Sequence, residues 1–286
     1  MNKKILFLIM LFMSRFAQSL EVTWDLTFDN KYNLPLIMIN YQGEKIQMIL
    51  DTGSNIALHL PMDLINKIPN KIENSEKIRS VDLLGNITEI KLFVIDRLSL
   101  NSFVFNNVKV AEYKKWGLII SSDQTNKSEN TNEDKYVIGL GLFDGYVLTI
   151  NYPESNITIS NDISTYLNPN WIAIPFDLND EGLVVKLSDG IKNYRMVLDT
   201  GATVSIIKEE SLSPFTSKLT VPENNFRYIS LEMKGIASDK VKAIIIDSLP
   251  DEFQSDGLLG TDFFSKNRVK IDFRNKKMWI QPVVIK

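Results

Sequence analysis

A chain of 286 residues is long enough for one large core or two, and its formal net charge of −3 gives no basic surface for nucleic acid. Hydrophobic residues at 44% and charged residues at 23% describe an ordinary globular protein and exclude a wholly disordered one. With no cysteine and one histidine, disulfides and thiol chemistry are excluded and only carboxylates are left as zinc ligands, so neither a metal site nor a cofactor is assigned.

At the N-terminus Lys3 and Lys4 precede an apolar run, Ile5 to Met13, and the small residues Ala17 and Ser19 follow. This is the layout of a secretory signal peptide over residues 1–19, with cleavage after Ser19. No later segment approaches the roughly 20 apolar residues that a spanning helix needs. The mature chain is therefore expected to be exported, periplasmic or secreted, with no stable membrane span. Losing Lys3, Lys4 and Arg15 moves its net charge from −3 to −6. An exported chain without cysteine leans toward a bacterial origin.

Beyond the leader, Leu36 to Asn40 reads as a strand, Gly43 as a turn, and Gln47 to Leu50 as a strand ending on Asp51-Thr52-Gly53-Ser54. A short helix is expected over Met62 to Ile68, after Pro61. Val81 to Ile87 carries a turn at Gly85, flanked by strand-like sequence. Ser121 to Lys135 is polar and aperiodic and reads as a surface loop. Val137-Ile138-Gly139-Leu140 and Val147 to Tyr152 are further strands.

The same parts then recur in the same order. Leu183 to Leu187, a turn at Gly190, and a strand through Met196 lead to Asp199-Thr200-Gly201-Ala202, 148 residues after the first copy. A turn at Gly235, then Leu258-Leu259-Gly260-Thr261 and Arg268 to Phe273, complete the repeat. Short helices are expected over Lys208 to Ser213 and Asp262 to Ser265. The fold class is mainly β, in two lobes related by a pseudo-twofold axis. The boundary falls near Ser160 to Asn170, giving a first lobe of residues 20–165 and a second of 166–286.

An aspartate at the end of an apolar strand is delivered into a partly desolvated place, where burial raises its pKa. Gly lets the chain turn tightly and brings backbone N–H groups to the carboxylate, and Thr offers a hydroxyl to fix the turn. One such turn is ordinary, because Asp and Gly are common turn residues. Two copies facing each other across a pseudo-twofold axis form a carboxyl pair that shares one proton, an acid and a base together.

On these residues the chain resembles the pepsin and retropepsin group of aspartic peptidases, and is most like bacterial retropepsin-like proteases with two Asp-Thr-Gly lobes in one chain. The first copy has the pepsin-like Asp-Thr-Gly-Ser form, and the second the Asp-Thr-Gly-Ala form common in retropepsins. Val137-Ile138-Gly139 and Leu258-Leu259-Gly260 match the family's hydrophobic-hydrophobic-Gly element. The resemblance implies a two-lobed acid-protease fold in a monomer and an endopeptidase acting on peptide or protein substrates. Asp51 and Asp199 would be catalytic, with Thr52, Gly53, Ser54, Thr200, Gly201 and Ala202 supporting the active-site loops. It also implies a flap at Leu84, Gly85 and Asn86, although the tyrosine usual near a pepsin flap tip is missing. The Gly235 hairpin is a comparable element of the second lobe.

His59 lacks the Gly-x-Ser-x-Gly partner a hydrolase reading would need and is read as a structural or surface residue. Asp256 and Asp262, beside Leu258-Leu259-Gly260, are read as structural hydrogen-bonding groups. The reading of a different class is a non-catalytic peptide- or protein-binding module that keeps the fold.

Overall fold

The computed structural model describes residues 20–75, 77–81, 87–114, 136–161, 170–221, 225–236 and 240–283. Four expectations lie outside these residues: the leader 1–19, the flap-tip residues Leu84, Gly85 and Asn86, most of the lobe boundary, and the polar stretch Ser121 to Lys135.

The first half supplies β1 (Glu21–Phe28), β2 (Pro35–Tyr41), β3 (Glu44–Asp51), β4 (Leu58–Leu60), β5 (Lys71–Glu73), β6 (Ile78–Val81), β7 (Ile87–Ile90), β8 (Leu92–Leu100), β9 (Phe103–Glu112), β10 (Tyr136–Gly139), β11 (Val147–Asn151) and β12 (Asn156–Ser160), with helix α1 (Met62–Lys67). The second supplies β13 (Ile172–Ile174), β14 (Asp177–Asn179), β15 (Gly182–Ser188), β16 (Asn193–Leu198), β17 (Ile206–Lys208), β18 (Leu219–Thr220), β19 (Arg227–Met233), β20 (Val241–Ile246), β21 (Gly257–Leu259), β22 (Asn267–Asp272) and β23 (Lys277–Pro282), with helix α2 (Thr261–Phe264).

Period-two burial explains the strands. In β2 Ile37 and Ile39 are buried while Met38 faces out, and in β3 Met48 and Leu50 point into the same core. The turn between them places Gln42 at φ 52° and Gly43 at φ 87°, the paired positive values that suit a tight hairpin to the strand twist. Full burial of Leu50 and of Leu198 at the end of β16 contributes about 1.5–3 kcal/mol each and anchors the strands that end at the two aspartates.

Both halves use one strand order. In the first it is β2-β3-β10-β4-β9-β8, and in the second β15-β16-β21-β17-β20-β19. Each has the same directions: β10 is parallel to β3 and antiparallel to β4, as β21 is parallel to β16 and antiparallel to β17. The repeated strands β11 and β22 pair with each other, antiparallel, with Thr149 opposite Lys270 at the centre. These two residues are equivalent in the repeat, so the pseudo-twofold axis passes between them. Among the described residues the larger sheet has 13 strands and takes in β13, β22 and β23 from the second half, so it spans both lobes. The protein is mainly β and two-lobed.

Three local expectations shift. Strand β11 stops at Asn151, and Tyr152 opens a 3-10 turn, because Pro153 has no N–H for a ladder and the Asn151 side chain accepts the Glu154 N–H. Over Lys208 to Ser213 there is no α-helix. Strand β17 continues to Lys208, with Ile206 and Ile207 buried between β20 and β21, and leaves room for one 3-10 turn at Glu209–Ser211. Helix α2 begins at Thr261, one residue earlier than expected. Helix α1 after Pro61 forms as expected.

Candidate active site

Asp51 closes β3 and Asp199 follows β16, and each carboxylate turns back onto its own loop. The Gly53 N–H donates to Asp51 Oδ1 at 2.9 Å, and the Gly201 N–H to Asp199 Oδ1 at 2.7 Å. The glycines also bring the lobes together. A Cβ on Gly53 would lie 2.9 Å from Asp199 Cγ, and one on Gly201 would lie 3.0 Å from Asp51 Cγ. Each glycine thus rests against the opposite carboxyl, and the carboxyls hydrogen-bond each other.

Beneath them the threonines cross. Thr52 Oγ1 donates to the Leu198 carbonyl at 2.7 Å and accepts the Thr200 N–H at 3.0 Å. Thr200 Oγ1 donates to the Leu50 carbonyl at 2.7 Å and accepts the Thr52 N–H at 3.0 Å. Both threonines are buried, so these bonds work without competition from water.

Under each loop runs the hydrophobic-hydrophobic-Gly strand. Gly139 pairs with Asp51, and a Cβ there would stand 2.2 Å from the Ile56 carbonyl oxygen and 2.6 Å from that of Ser54. Gly260 is similarly crowded, 2.7 Å from the Ala202 and Val204 carbonyl oxygens. The next N–H in each lobe holds its loop: Leu140 donates to Ser54 at 2.7 Å, and Thr261 to Ala202 at 2.8 Å.

Electrostatics separate the two acids. Burial raises Asp51 well above the usual carboxylate range, and the charge of Asp199 adds to the rise. Asp199 is partly exposed and raised less. Burial lifts it, while hydrogen bonds from Asp51 and from the N–H groups of Gly201, Ala202 and Gly53 favour its ionised form.

Asp256 and Asp262 serve structure. Asp256 Oδ2 accepts the Arg195 N–H at 2.7 Å, and Asp262 Oδ1 accepts the Ser205 hydroxyl at 2.8 Å. His59, in β4, is buried and joined to the site through Ser54, its Nε2 lying 2.8 Å from Ser54 Oγ.

Two contributions escape the sequence pattern. The phenol of Tyr152 is buried beside Thr200; burial pushes its pKa well up, contact with Thr200 opposes this, and Asp199 and Asp51 add to the rise. Its ring packs between Phe28 and Phe264, at centroid distances of 5.1 and 5.5 Å. Asn55 donates to the Asn179 carbonyl at 2.5 Å, tying the Asp51 loop to the β14–β15 turn of the other lobe. No signal in a single half shows either residue, because both contacts cross the repeat.

The strands β6 and β7 form a separate ribbon, Ile78 opposite Ile90 and Val81 opposite Ile87. Ile78 and Ile56 pack on one small apolar cluster of Ile90, Leu92 and Ala111, which links the ribbon base to the chain that follows the Asp51 loop. The Gly235 hairpin differs. Its strands are built into the eight-stranded sheet, and its turn leans toward Ile172.

A family model described as aspartyl protease matches residues 37–139, which hold the first aspartate loop and its Gly139 support. No curated protein sequence matches. Among solved structures, the chain is similar to an aspartic proteinase from Irpex lacteus, with 12% identity and a TM-score of 0.55 over 92% of this chain and 98% of that one. It is also similar to basic 7S globulin from soybean, with 9% identity and a TM-score of 0.51 over 91% and 94%. The fold is the two-lobed acid-protease fold, and the family match over residues 37–139 supports a protease-type function.

Proposed function

We propose that the protein is an aspartic-type endopeptidase that hydrolyses peptide bonds with a water held between Asp51 and Asp199. The observation that carries this reading is the mutual placement of the two carboxyls. They are desolvated, hydrogen-bonded to each other and braced by reciprocal threonine bonds.

Two carboxyls so close cannot both ionise readily, so they share one proton. We assign the proton to Asp51, where burial and the neighbouring charge both raise the carboxyl, and the negative charge to Asp199, whose Oδ1 accepts the Gly201 N–H. Asp199 takes a proton from the water as its oxygen attacks the peptide carbonyl carbon. Asp51 hydrogen-bonds the carbonyl oxygen and gives up its proton to it. Collapse of the tetrahedral adduct returns one proton to the carboxyl pair and passes another to the departing amine. The chemistry uses side chains and water.

The β6–β7 ribbon is suited to cover a bound peptide, since it stands apart from the large sheets and is rooted beside Ile56. The compact second half, with 61 residues from Asp199 to Gly260 against 88 from Asp51 to Gly139, supports a bacterial retropepsin-like kind of enzyme. Export by a signal over residues 1–19 and action as a two-lobed monomer complete the proposal.

The test is cleavage of a peptide library from acidic to neutral pH, with and without pepstatin, by wild type and by Asp51→Asn and Asp199→Asn. Removing either acid or base should lower turnover by about 10²–10⁴-fold or more while the fold persists. Appreciable turnover in either folded variant removes the dyad. No turnover by wild type on any peptide leaves the fold serving a binding role.

A further inference from the structure

We propose that His59 is a positioning residue, acting with Ser54 as a two-residue polar unit that fixes the Asp51 loop. The proposal rests on the dyad reading above and extends it to a group that does not touch the reacting atoms.

Ser54 is held from several sides. Its carbonyl accepts the Leu140 N–H at 2.7 Å, its own N–H donates to the Asp51 carbonyl at 3.3 Å, and its Oγ accepts the Ile56 N–H at 3.3 Å. Gly139 crowds it from below, since a Cβ there would lie 3.0 Å from Ser54 Cβ. The hydroxyl pairs with His59 Nε2, 2.8 Å away, in a hydrogen bond whose direction follows the imidazole tautomer. Ser54 is next to Gly53, whose N–H binds the Asp51 carboxylate, so any turn of the Ser54 peptide is passed directly to the acid.

The repeat shows that the two residues change together. In the first lobe His59 stands opposite Val137, and in the second Ile206 stands opposite Leu258; Val137 and Leu258 each precede the supporting glycine by two residues. Ile206 is therefore the equivalent of His59, as Ala202 is of Ser54. One lobe has both residues polar and the other has both apolar, with Ala202 and Ile206 in one apolar cluster. That is the pattern of a unit, because a buried hydroxyl or imidazole stripped of its partner is costly. The second lobe steadies its loop by another route: Ser205 Oγ accepts the Gly260 N–H at 3.1 Å and donates to Asp262. Burial lowers the His59 pKa to about 4, so the imidazole is neutral through the mildly acidic range and pairs with Ser54 as an uncharged group.

The experiment is a double-mutant cycle in the full mature chain: Ser54→Ala, His59→Ile, and the two together, which copies the second lobe's solution, with His59→Gln as the conservative variant. On a cleaved peptide each single change should lower kcat about tenfold with little change in KM, a fraction of an ångström being enough. The double variant should lose no more than the worse single, and His59→Gln, whose amide can present its oxygen or its nitrogen at the Nε2 position, should keep most of the activity. Losses that multiply in the double variant, or a Gln variant as poor as Ile, overturn the proposal. The same cycle is read in Tm, where non-additivity is expected and additivity overturns the unit even if no peptide is cut. An inactive wild type, by contrast, strikes only the dyad reading.

Discussion

Thr52 and Thr200 each take the other's backbone N–H and return a hydroxyl proton to the other strand's carbonyl, four hydrogen bonds linking two residues 148 positions apart. All are buried, so removing one hydroxyl orphans both a donor and an acceptor. Thr52→Val is isosteric and leaves the Thr200 N–H and the Leu198 carbonyl unpaired. It should cost about 2–4 kcal/mol in urea unfolding, whereas Thr52→Ser should cost about 1 kcal/mol for the lost methyl. Equal losses would mean that packing, not hydrogen bonding, joins the lobes here.

Gly139 offers a test of a different force. A Cβ at Gly139 meets backbone oxygens at 2.2 and 2.6 Å, contacts that no rotamer relieves, so Gly139→Ala must push the Asp51 loop upward. We expect a loss of about 2–3 kcal/mol or more and a fall in turnover. Gly145→Ala is the control. Its φ of 80° strains an alanine, but nothing lies within 4 Å, so the cost should stay near 1 kcal/mol with turnover intact.

The repeat made the Asp51 and Asp199 loops legible, because strand, turn and supporting glycine recur in order around two copies of one tripeptide. The role of Gly53 and Gly201 in bringing N–H groups to the carboxylates followed from local turn chemistry. The threonine hydroxyls did not. A local reading has each fixing its own turn, whereas each fixes the other lobe's, and only the assembled axis between β11 and β22 brings them within reach. His59 was hidden for a related reason: its partner Ser54 is close in sequence, but their facing depends on β4 lying against β10. Tyr152 looked like a strand residue until Pro153 ended the ladder and put the ring under Thr200.

Asp189 should make stability depend on acid pH. In the β15–β16 turn its carboxylate accepts the Thr216 hydroxyl at 2.6 Å, the Tyr194 hydroxyl at 2.9 Å, and the Ile191 and Lys192 N–H groups at 2.8 Å. These outweigh its desolvation and hold its pKa at about 2, below the ordinary 3.8. A depressed carboxyl stabilises the fold above pH 3.8, and the contribution is lost as pH falls through 2. Asp189→Asn should therefore lower stability at pH 6 by about 1 kcal/mol, allowing for solvent at the site, and the gap to wild type should close between pH 4 and 2. A gap that stays constant with pH would show that the charge is not the cause.

The dyad should give the opposite sign. Burial raises both Asp51 and Asp199 above 3.8, and the charge of Asp199 adds to the rise at Asp51, so the folded state holds protons that the unfolded chain releases. For a raised carboxyl the favourable contribution is complete below pH 3.8 and is lost as pH climbs through the folded value. At neutral pH the wild type therefore carries a penalty for its own catalytic pair. Asp51→Asn removes it while imitating the protonated acid: the amide oxygen still accepts the Gly53 N–H, and the amide nitrogen donates to Asp199. The variant should accordingly melt above wild type at pH 7 and lose that advantage on the way down to pH 3, while its turnover is abolished. A series of Tm measurements from pH 3 to pH 8 decides the matter. If Asp51→Asn melts below wild type at pH 7, the carboxyls are not held in the strained, proton-sharing state that the proposed chemistry requires.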